Sequence, residues 1–328
     1  MNIEPSASST PVAPALPRTM RAARIHQFGP PEAIALEQVK VPRPGDDEVL
    51  LRVHAAGVGP WDAWIRAGKS LLPQPLPLTL GSDVCGLVES VGSNITVFGP
   101  GDAVFGVTNP SFTGGYAEYA LASASMIAHK PEALSDIEAA SAPVGAVTAW
   151  QMLFKHAGAG QGQTVFVHGG AGNVGAYAVQ LARRNGLRVI ASALDRDAAF
   201  VRDLGASEVI DGRSLQLADL QGCADVVIDT VGGLSQAQLF GIVKSGGILV
   251  SSVSQPNTEL AQQQGVRAVF FIVDVNTTDL ARLAQMFDER RLIAAVGSVL
   301  PLAEAHKAHD MLDGKVPRVR GKIVLKVA

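Results

Sequence analysis

The chain has 328 residues, 47% of them apolar and 17% charged, with a formal net charge of −3. It is too long for one ordinary core, so two domains are expected, and too nearly neutral to be drawn to nucleic acid or an anionic membrane. Its two cysteines, Cys85 and Cys223, stand far apart without a CxxC spacing; this excludes a disulfide framework and a cysteine-rich zinc site and fits a reducing, cytoplasmic setting.

Residues 1–18 (MNIEPSASSTPVAPALPR) are read as a flexible tail, because prolines interrupt every apolar stretch and no secretory signal pattern emerges. No run anywhere reaches the length of a membrane span. From Met20 to about Leu121, short segments are broken by Gly and Pro. Arg21–Gln27, Glu48–Val53, Gly86–Val91 and the GGYAEYALA run from Gly114 read as strands of a β-rich, barrel-like domain, with one helix near Trp61–Ala67.

After about Pro143 the pattern changes. TVFVH (164–168), RVIASA (188–193), ADVVID (224–229), GILVSSV (247–253) and AVFFIV (268–273) are continuous apolar runs, as strands buried on both faces of a parallel sheet require. Between the first two, Val174, Tyr177, Ala178, Leu181 and Ala182 share one helical face. Further helices are predicted over Asp197–Leu204, closed by Gly205, and Ser235–Lys244, stopped by Gly246 and Gly247. Such alternation predicts a doubly wound α/β domain. Beyond Asn276 come a helix, a strand near Val296–Leu300, a helix through Leu312 and a last strand, GKIVLKV. Periodicity alone leaves open whether these add α/β layers or return to complete the first domain.

The sharpest signal is TVFVHGGAGNVGAYAVQLA, which places Gly170-x-Gly172-x-x-Gly175 directly after a strand and at the start of a helix. Glycines there permit the tight turn, let backbone approach a pyrophosphate, and allow close helix–strand packing. The amides of Gly169, Gly170, Ala171, Gly172, Asn173, Val174 and Gly175 are therefore the candidate phosphate cradle at the positive end of a helix. An NAD site usually ends its second strand on an acidic residue; here that position is Ala193. Ser192 and Arg196 stand close by as candidate holders of a 2′-phosphate, with Arg213 after the third strand, so NADPH is favoured. A loop carboxylate, Asp195, argues mildly the other way, and a solvated surface charge is the plain alternative for each arginine. The seven histidines show no metal spacing, and His306 and His309 read as members of a surface helix. No metal is expected.

At these residues the chain resembles the zinc-independent quinone reductases of the medium-chain dehydrogenase/reductase superfamily, the zeta-crystallin-like branch, over nearly its whole length from Met20. The shared landmarks are MRAARIHQFGPPEAIALE, GSDVCGLVESVG (81–92), PGDAVFG (100–106), GGYAEYALA (114–122), the VHGGAGNVG loop and the closing GKIVLKV. The resemblance implies a GroES-like catalytic domain from residues 19–142 and 276–328, with a Rossmann dinucleotide-binding domain, 143–275, inserted between. It implies a nicotinamide cleft between them. Zinc-dependent relatives carry Cys in the first catalytic motif and Gly-His-Glu in the second; here Gly59 and Ser82 occupy those ligand positions, and neither binds zinc.

By position, the resemblance implies that Trp64 and Thr148 line the cofactor cleft, that Ser252, Val253, Phe271 and Val273 hold the nicotinamide, and that Lys322 is a further contact. Gly59 stands where a frequent Asn would be and Trp61 beside it, both in the substrate pocket. Gly212 replaces an aromatic residue or His near the adenosine. The implied reaction is hydride transfer from NADPH to a quinone or an α,β-unsaturated carbonyl, with Asp62 and Tyr116 as candidate proton donors. Asp62 reads equally well as a helix cap, and Tyr116 as packing. The rivals are an NADPH-binding redox sensor with little turnover and an enoyl-thioester reductase. The apolar strand RAVFFIV is expected to lie at the edge of the dinucleotide sheet and to pair a homodimer.

Overall fold

The computed structural model describes residues 16–213 and 220–328, so most of the predicted tail lies outside the described residues. Near the start, β1 (Thr19–Ile25), β2 (Ala35–Lys40) and the short β4 (Leu78–Thr79) make a three-stranded sheet. The main catalytic-domain sheet is built on β3 (Glu48–Val58) and β5 (Asp83–Val91), followed by β6 (Ala103–Val107), β7 (Tyr119–Ser123) and β8 (Ile127–His129). Buried Val49, Leu50, Leu51 and Val53 lie on both faces of β3, which is why it sits mid-sheet, paired with β5 on one side. Helix α1 (Pro60–Arg66) follows β3 directly; Pro60 at its first position has a preset φ and no amide to waste.

Helices α2 (Asp136–Ser141) and α3 (Pro143–Trp150) lead into the second sheet, with Ser135 and Glu138 forming a capping box for α2. There β9 (Thr164–His168), α4 (Asn173–Arg184), β10 (Arg188–Ala193), α5 (Ala198–Asp203), β11 (Glu208–Asp211), β12 (Ala224–Asp229), α6 (Gln236–Leu239), β13 (Val243–Ser251), α7 (Thr258–Gln263) and β14 (Arg267–Phe270) alternate in order. All six strands run parallel in the order β11-β10-β9-β12-β13-β14. The order reverses between β9 and β12, and ligands of such sheets bind in the crevice at that switch point. β14 lies at the sheet edge, as the apolar run suggested.

The final segment comprises α8 (Thr277–Asp288), β15 (Val296–Pro301), α9 (Ala305–Leu312) and β16 (Lys322–Lys326). β15 and β16 extend the catalytic-domain sheet, with β16 antiparallel to β3. Of the two readings left open by periodicity, the chain takes the return.

Three local expectations differ. The helix expected over Ser235–Lys244 shrinks to α6, because Phe240, Ile242 and Val243 are all buried and the chain tightens into a 3-10 turn before β13. Gly246 does not stop a helix; it lies inside β13 with φ +79, where the strand pairing also shifts register. The helix over Asp197–Leu204 begins as a 3-10 turn, Asp195–Asp197, before α5, and Gly205 at φ +116 closes it.

His309 corrects another expectation. It is fully buried, and its Nδ1 accepts from Arg66 Nη1 at 2.9 Å, whereas His306 is exposed as expected. Burial, with the Arg66 charge adding to it, pushes the His309 imidazole down to about 3. Arg66 in turn pairs with Asp313 at 2.8 Å, so α1 and α9 are fastened through a neutral histidine. Among the described residues no helix is long and apolar enough to cross a membrane.

Candidate active site

The glycine loop leaves β9 at His168 and enters α4 at Asn173. Gly169 has φ +86, a conformation that favours glycine. A Cβ on Gly170 would come 2.9 Å from Ala191 Cβ on β10, and one on Gly175 would overlap the Gly169 carbonyl. Both positions need glycine for close approach, as the dinucleotide reading requires. The first-turn amides of α4, from Asn173 to Gly175, have no carbonyl within the helix to pair with, and such amides are suited to receive an anion. Ala171, Gly172, Asn173, Ala176 and Tyr177 border a recess whose far wall is Ile293, Ala295 and Gly321. The cradle therefore opens toward the catalytic-domain segment. These residues fit the phosphates of a dinucleotide, and the Cβ-free wall is the observation that says so.

Behind the loop runs a hydrogen-bonded scaffold. Ser192, expected at the 2′-phosphate, is only 1% exposed. Its Oγ accepts the Gly169 amide at 3.0 Å and lies 2.7 Å from His168 Nδ1. Ser235 Oγ donates to the Gly232 carbonyl, so it accepts from His168 Nε2 at 3.1 Å. That fixes a neutral Nε2–H imidazole whose Nδ1 accepts the Ser192 hydroxyl proton; burial likewise lowers the His168 pKa. Ser192 thus shapes the loop from inside. Asp229, fully buried at the end of β12, accepts from the Val231 and Gly232 amides, Gln236 Nε2 and Ser251 Oγ, all within 3.1 Å. Sequence reasoning misses Asp229; its one signal is a carboxylate closing an apolar strand.

At the end of β10, Ala193 is buried and Arg196 projects from the following turn with 77% of its side chain exposed. Ala193 pairs with Asp211, and the Gly212 amide donates to the Ala193 carbonyl at 2.8 Å, so the loops carrying Arg196 and Arg213 are neighbours. Arg196 thus follows the end of β10 and Arg213 the end of the adjacent β11. A third, unforeseen arginine joins them: Arg320 reaches from the catalytic-domain segment to Asp197 at 2.7 Å and lies 4.0 Å over the Phe200 ring.

Across the cleft, the residues beside α1 form a compact polar cluster. Asp62 is fully buried; its Oδ2 accepts from the Gly59 amide at 2.7 Å and the Tyr116 hydroxyl at 3.0 Å, while Oδ1 has no hydrogen-bond partner. Burial is the main cause that raises Asp62 from 3.8 to about 7 and pushes the Tyr116 phenol well above its usual value. The two candidate proton donors are enclosed and bonded to each other. They build α1's start.

Lys322 and Asp83 form an ion pair at 2.7 Å with side chains 2% and 0% exposed. Asp83 also accepts the Val144 amide of α3 at 3.1 Å. The Trp61 indole donates to Ser82 Oγ at 2.9 Å and has the Lys322 ammonium 4.3 Å from its ring centroid. Thr148 is buried with its hydroxyl turned back onto the Val144 carbonyl at 2.6 Å. Trp64 is 47% exposed. Ser252 and Val253 are half-buried beyond β13; Phe271, whose ring centroid lies 4.2 Å from that of His156 at a tilt of 36°, and Val273 follow the end of β14.

A zinc ion does not fit these donors. Gly59 offers no side chain, Ser82 already accepts from Trp61, and Asp83 is bound to Lys322. Among the described residues no cluster of three His, Cys, Asp or Glu side chains is disposed to hold a metal.

Residues 45–132 match the alcohol dehydrogenase GroES-like domain, and residues 204–325 match a zinc-binding dehydrogenase domain. Human quinone oxidoreductase is 32% identical over 310 residues, covering 89% of this chain and 94% of that one. The mouse quinone oxidoreductase is 34% identical over 328 residues, covering 94% and 98%. Among solved structures, the quinone oxidoreductase from Coxiella burnetii superposes with a TM-score of 0.88 at 35% identity, covering 94% of this chain and all 100% of its own. A mycobacterial protein solved with NADPH superposes with a TM-score of 0.80 at 30% identity, covering 94% and 99%.

Proposed function

The chain belongs to the zeta-crystallin-like quinone oxidoreductase branch of the medium-chain dehydrogenase/reductase superfamily, and on that premise we propose that it is an NADPH-dependent, zinc-independent reductase of quinones or α,β-unsaturated carbonyls. The glycine-walled cradle at α4, open toward the catalytic domain, carries this reading. Reduced nicotinamide, when bound, supplies the hydride. The protein's part is placement. Amides from Asn173 to Gly175 hold the pyrophosphate, whereas those of Gly169, Gly170 and Gly172 are spent within the loop on Ser192 Oγ, the Ser192 carbonyl and the Gly169 carbonyl. Arg196 and Arg213 receive the 2′-phosphate beside Ala193, which carries no carboxylate, and Arg196 exchanges its partner Asp197, 3.7 Å away, for that phosphate. The binding of the mycobacterial neighbour to NADPH supports that choice.

At the reacting end, Trp61 and Phe112 pack against both main hydrophobic cores and are themselves partly exposed. The acceptor oxygen takes its proton from solvent, since Asp62 and Tyr116 are enclosed. The free thiols of Cys85 and Cys223 suit a cytoplasmic protein. A homodimer across β14 follows from its unpaired edge and is tested by sedimentation; a monomer at micromolar concentration overturns it.

The deciding assay is consumption of NADPH, with NADH in parallel, against 1,4-benzoquinone, 9,10-phenanthrenequinone, an alkenal and an enoyl thioester. Turnover of quinone or alkenal with NADPH preferred is expected. Tight NADPH binding without turnover of any acceptor overturns the reductase reading.

A further inference from the structure

The side chain absent from Gly59 leaves room that a tryptophan fills. A Cβ on Gly59 would overlap three atoms of the Trp61 six-membered ring, so a side chain at position 59 and this indole exclude each other. The ring is fixed from other directions too. Its Nε1–H is tied to Ser82 at 2.9 Å, and the Lys322 ammonium, itself pinned 2.7 Å from Asp83, lies 4.3 Å from the centroid. The helix that carries Trp61 is anchored by Asp62 on the Gly59 amide at 2.7 Å. The indole packs against both main cores yet stays partly exposed. A rigid, partly exposed ring therefore stands here, touching both positions that carry zinc ligands in the metal-dependent relatives.

From these contacts we propose that Trp61 determines acceptor specificity, its indole serving as a stacking wall that favours planar, ring-conjugated acceptors over open-chain enals. The proposal rests on the reductase reading and narrows its substrate class. A ring already held by Ser82, Lys322 and Gly59 loses little freedom when an acceptor settles on it. Aromatic faces favour offset stacking on a second π system beyond the area buried. A three-ring quinone covers much of an indole, whereas a short enal presents one narrow conjugated plane and buries less apolar surface.

The test compares wild type, Trp61→Phe and Trp61→Leu in NADPH-dependent reduction of 9,10-phenanthrenequinone and trans-2-hexenal. Calorimetric binding of the same quinone to the protein saturated with NADP+ gives a readout that needs no turnover. Trp61→Leu is expected to raise the quinone KM and Kd about tenfold while the hexenal KM changes less than about threefold. Trp61→Phe keeps a ring, loses the bond to Ser82, and falls between. Equal losses for both acceptors, or unchanged quinone binding, overturn the proposal. Where Trp61→Leu does not fold, Trp61→Phe decides: a selective loss for the quinone supports the wall, and a uniform loss refutes it. A wild type that reduces neither acceptor refutes the reductase reading, and the binding comparison then settles Trp61 by itself.

Discussion

Replacing Asp62 by Asn should flatten part of the dependence of stability on pH. The carboxyl is fully buried, and burial raises it from 3.8 to about 7. Between those values the folded protein holds a proton that the unfolded chain has released. Stability therefore falls as pH rises through this window, and it is restored on acidification. Across the whole window the loss is roughly 4 kcal/mol, of which about 2.5 kcal/mol falls between pH 5 and pH 8. Asparagine mimics the protonated acid: its carbonyl can accept from the Gly59 amide and the Tyr116 hydroxyl, the two bonds now made by Oδ2. Urea unfolding of both proteins at pH 5 and pH 8 reads this group together with its coupling to Tyr116, Asp83 and Lys322, because titrations independent of Asp62 cancel in the difference. Asp62→Asn is expected to gain about 2.5 kcal/mol on wild type over that interval. Parallel pH profiles would refute a neutral, buried Asp62, and a growing advantage for wild type at pH 8 would reverse its sign.

Three further outcomes follow from the site. Gly175→Ala puts a methyl group into the Gly169 carbonyl, so NADPH binding measured by calorimetry should weaken at least about tenfold, about 1.4 kcal/mol, and an unchanged Kd contradicts the cradle. Lys322→Met strands the Asp83 carboxylate in the interior and should cost about 3–5 kcal/mol in denaturant unfolding, partly recovered by adding Asp83→Leu; additive losses would mean the two side chains act separately. Arg196→Ala should lower kcat/KM for NADPH about tenfold and leave NADH unchanged, since only the 2′-phosphate distinguishes them. Equal loss with both cofactors would remove Arg196 from the 2′-phosphate.

The parallel sheet and the glycine loop are legible in the sequence because they are local. Five apolar runs and a glycine spacing of two and three lie within short windows, and the chemistry of each needs no distant partner. The polar heart of the catalytic domain is hidden for the opposite reason. Lys322 and Asp83 are 239 positions apart, and nothing in RGKIVL or GSDVCG announces that one neutralises the other. Gly59 reads as a loss, an amide removed; only the fold shows that Trp61 occupies the space. Ser192 reads as outward-facing because strands buried on both faces carry no polar alternation to tell inside from outside, and its hydroxyl in fact braces Gly169. His309 misleads because one helical turn of spacing from His306 says they share a face, not what that face meets; Arg66 lies 243 residues away.

The pairing of β16 with β3 also sets an order of assembly. Val58 finds its sheet partner only at Ile323, after every strand from β9 to β14 has been made. A chain emerging from the ribosome can complete the parallel sheet, whose pairings all lie between Thr164 and Phe270, while the earlier sheet still has an open flank. Until Lys322 arrives, Asp83 has no counter-ion and the ring of Trp61 has no cation above it. The nascent protein can thus acquire its cofactor cradle before its reaction chamber, which closes only once β16 is available to β3.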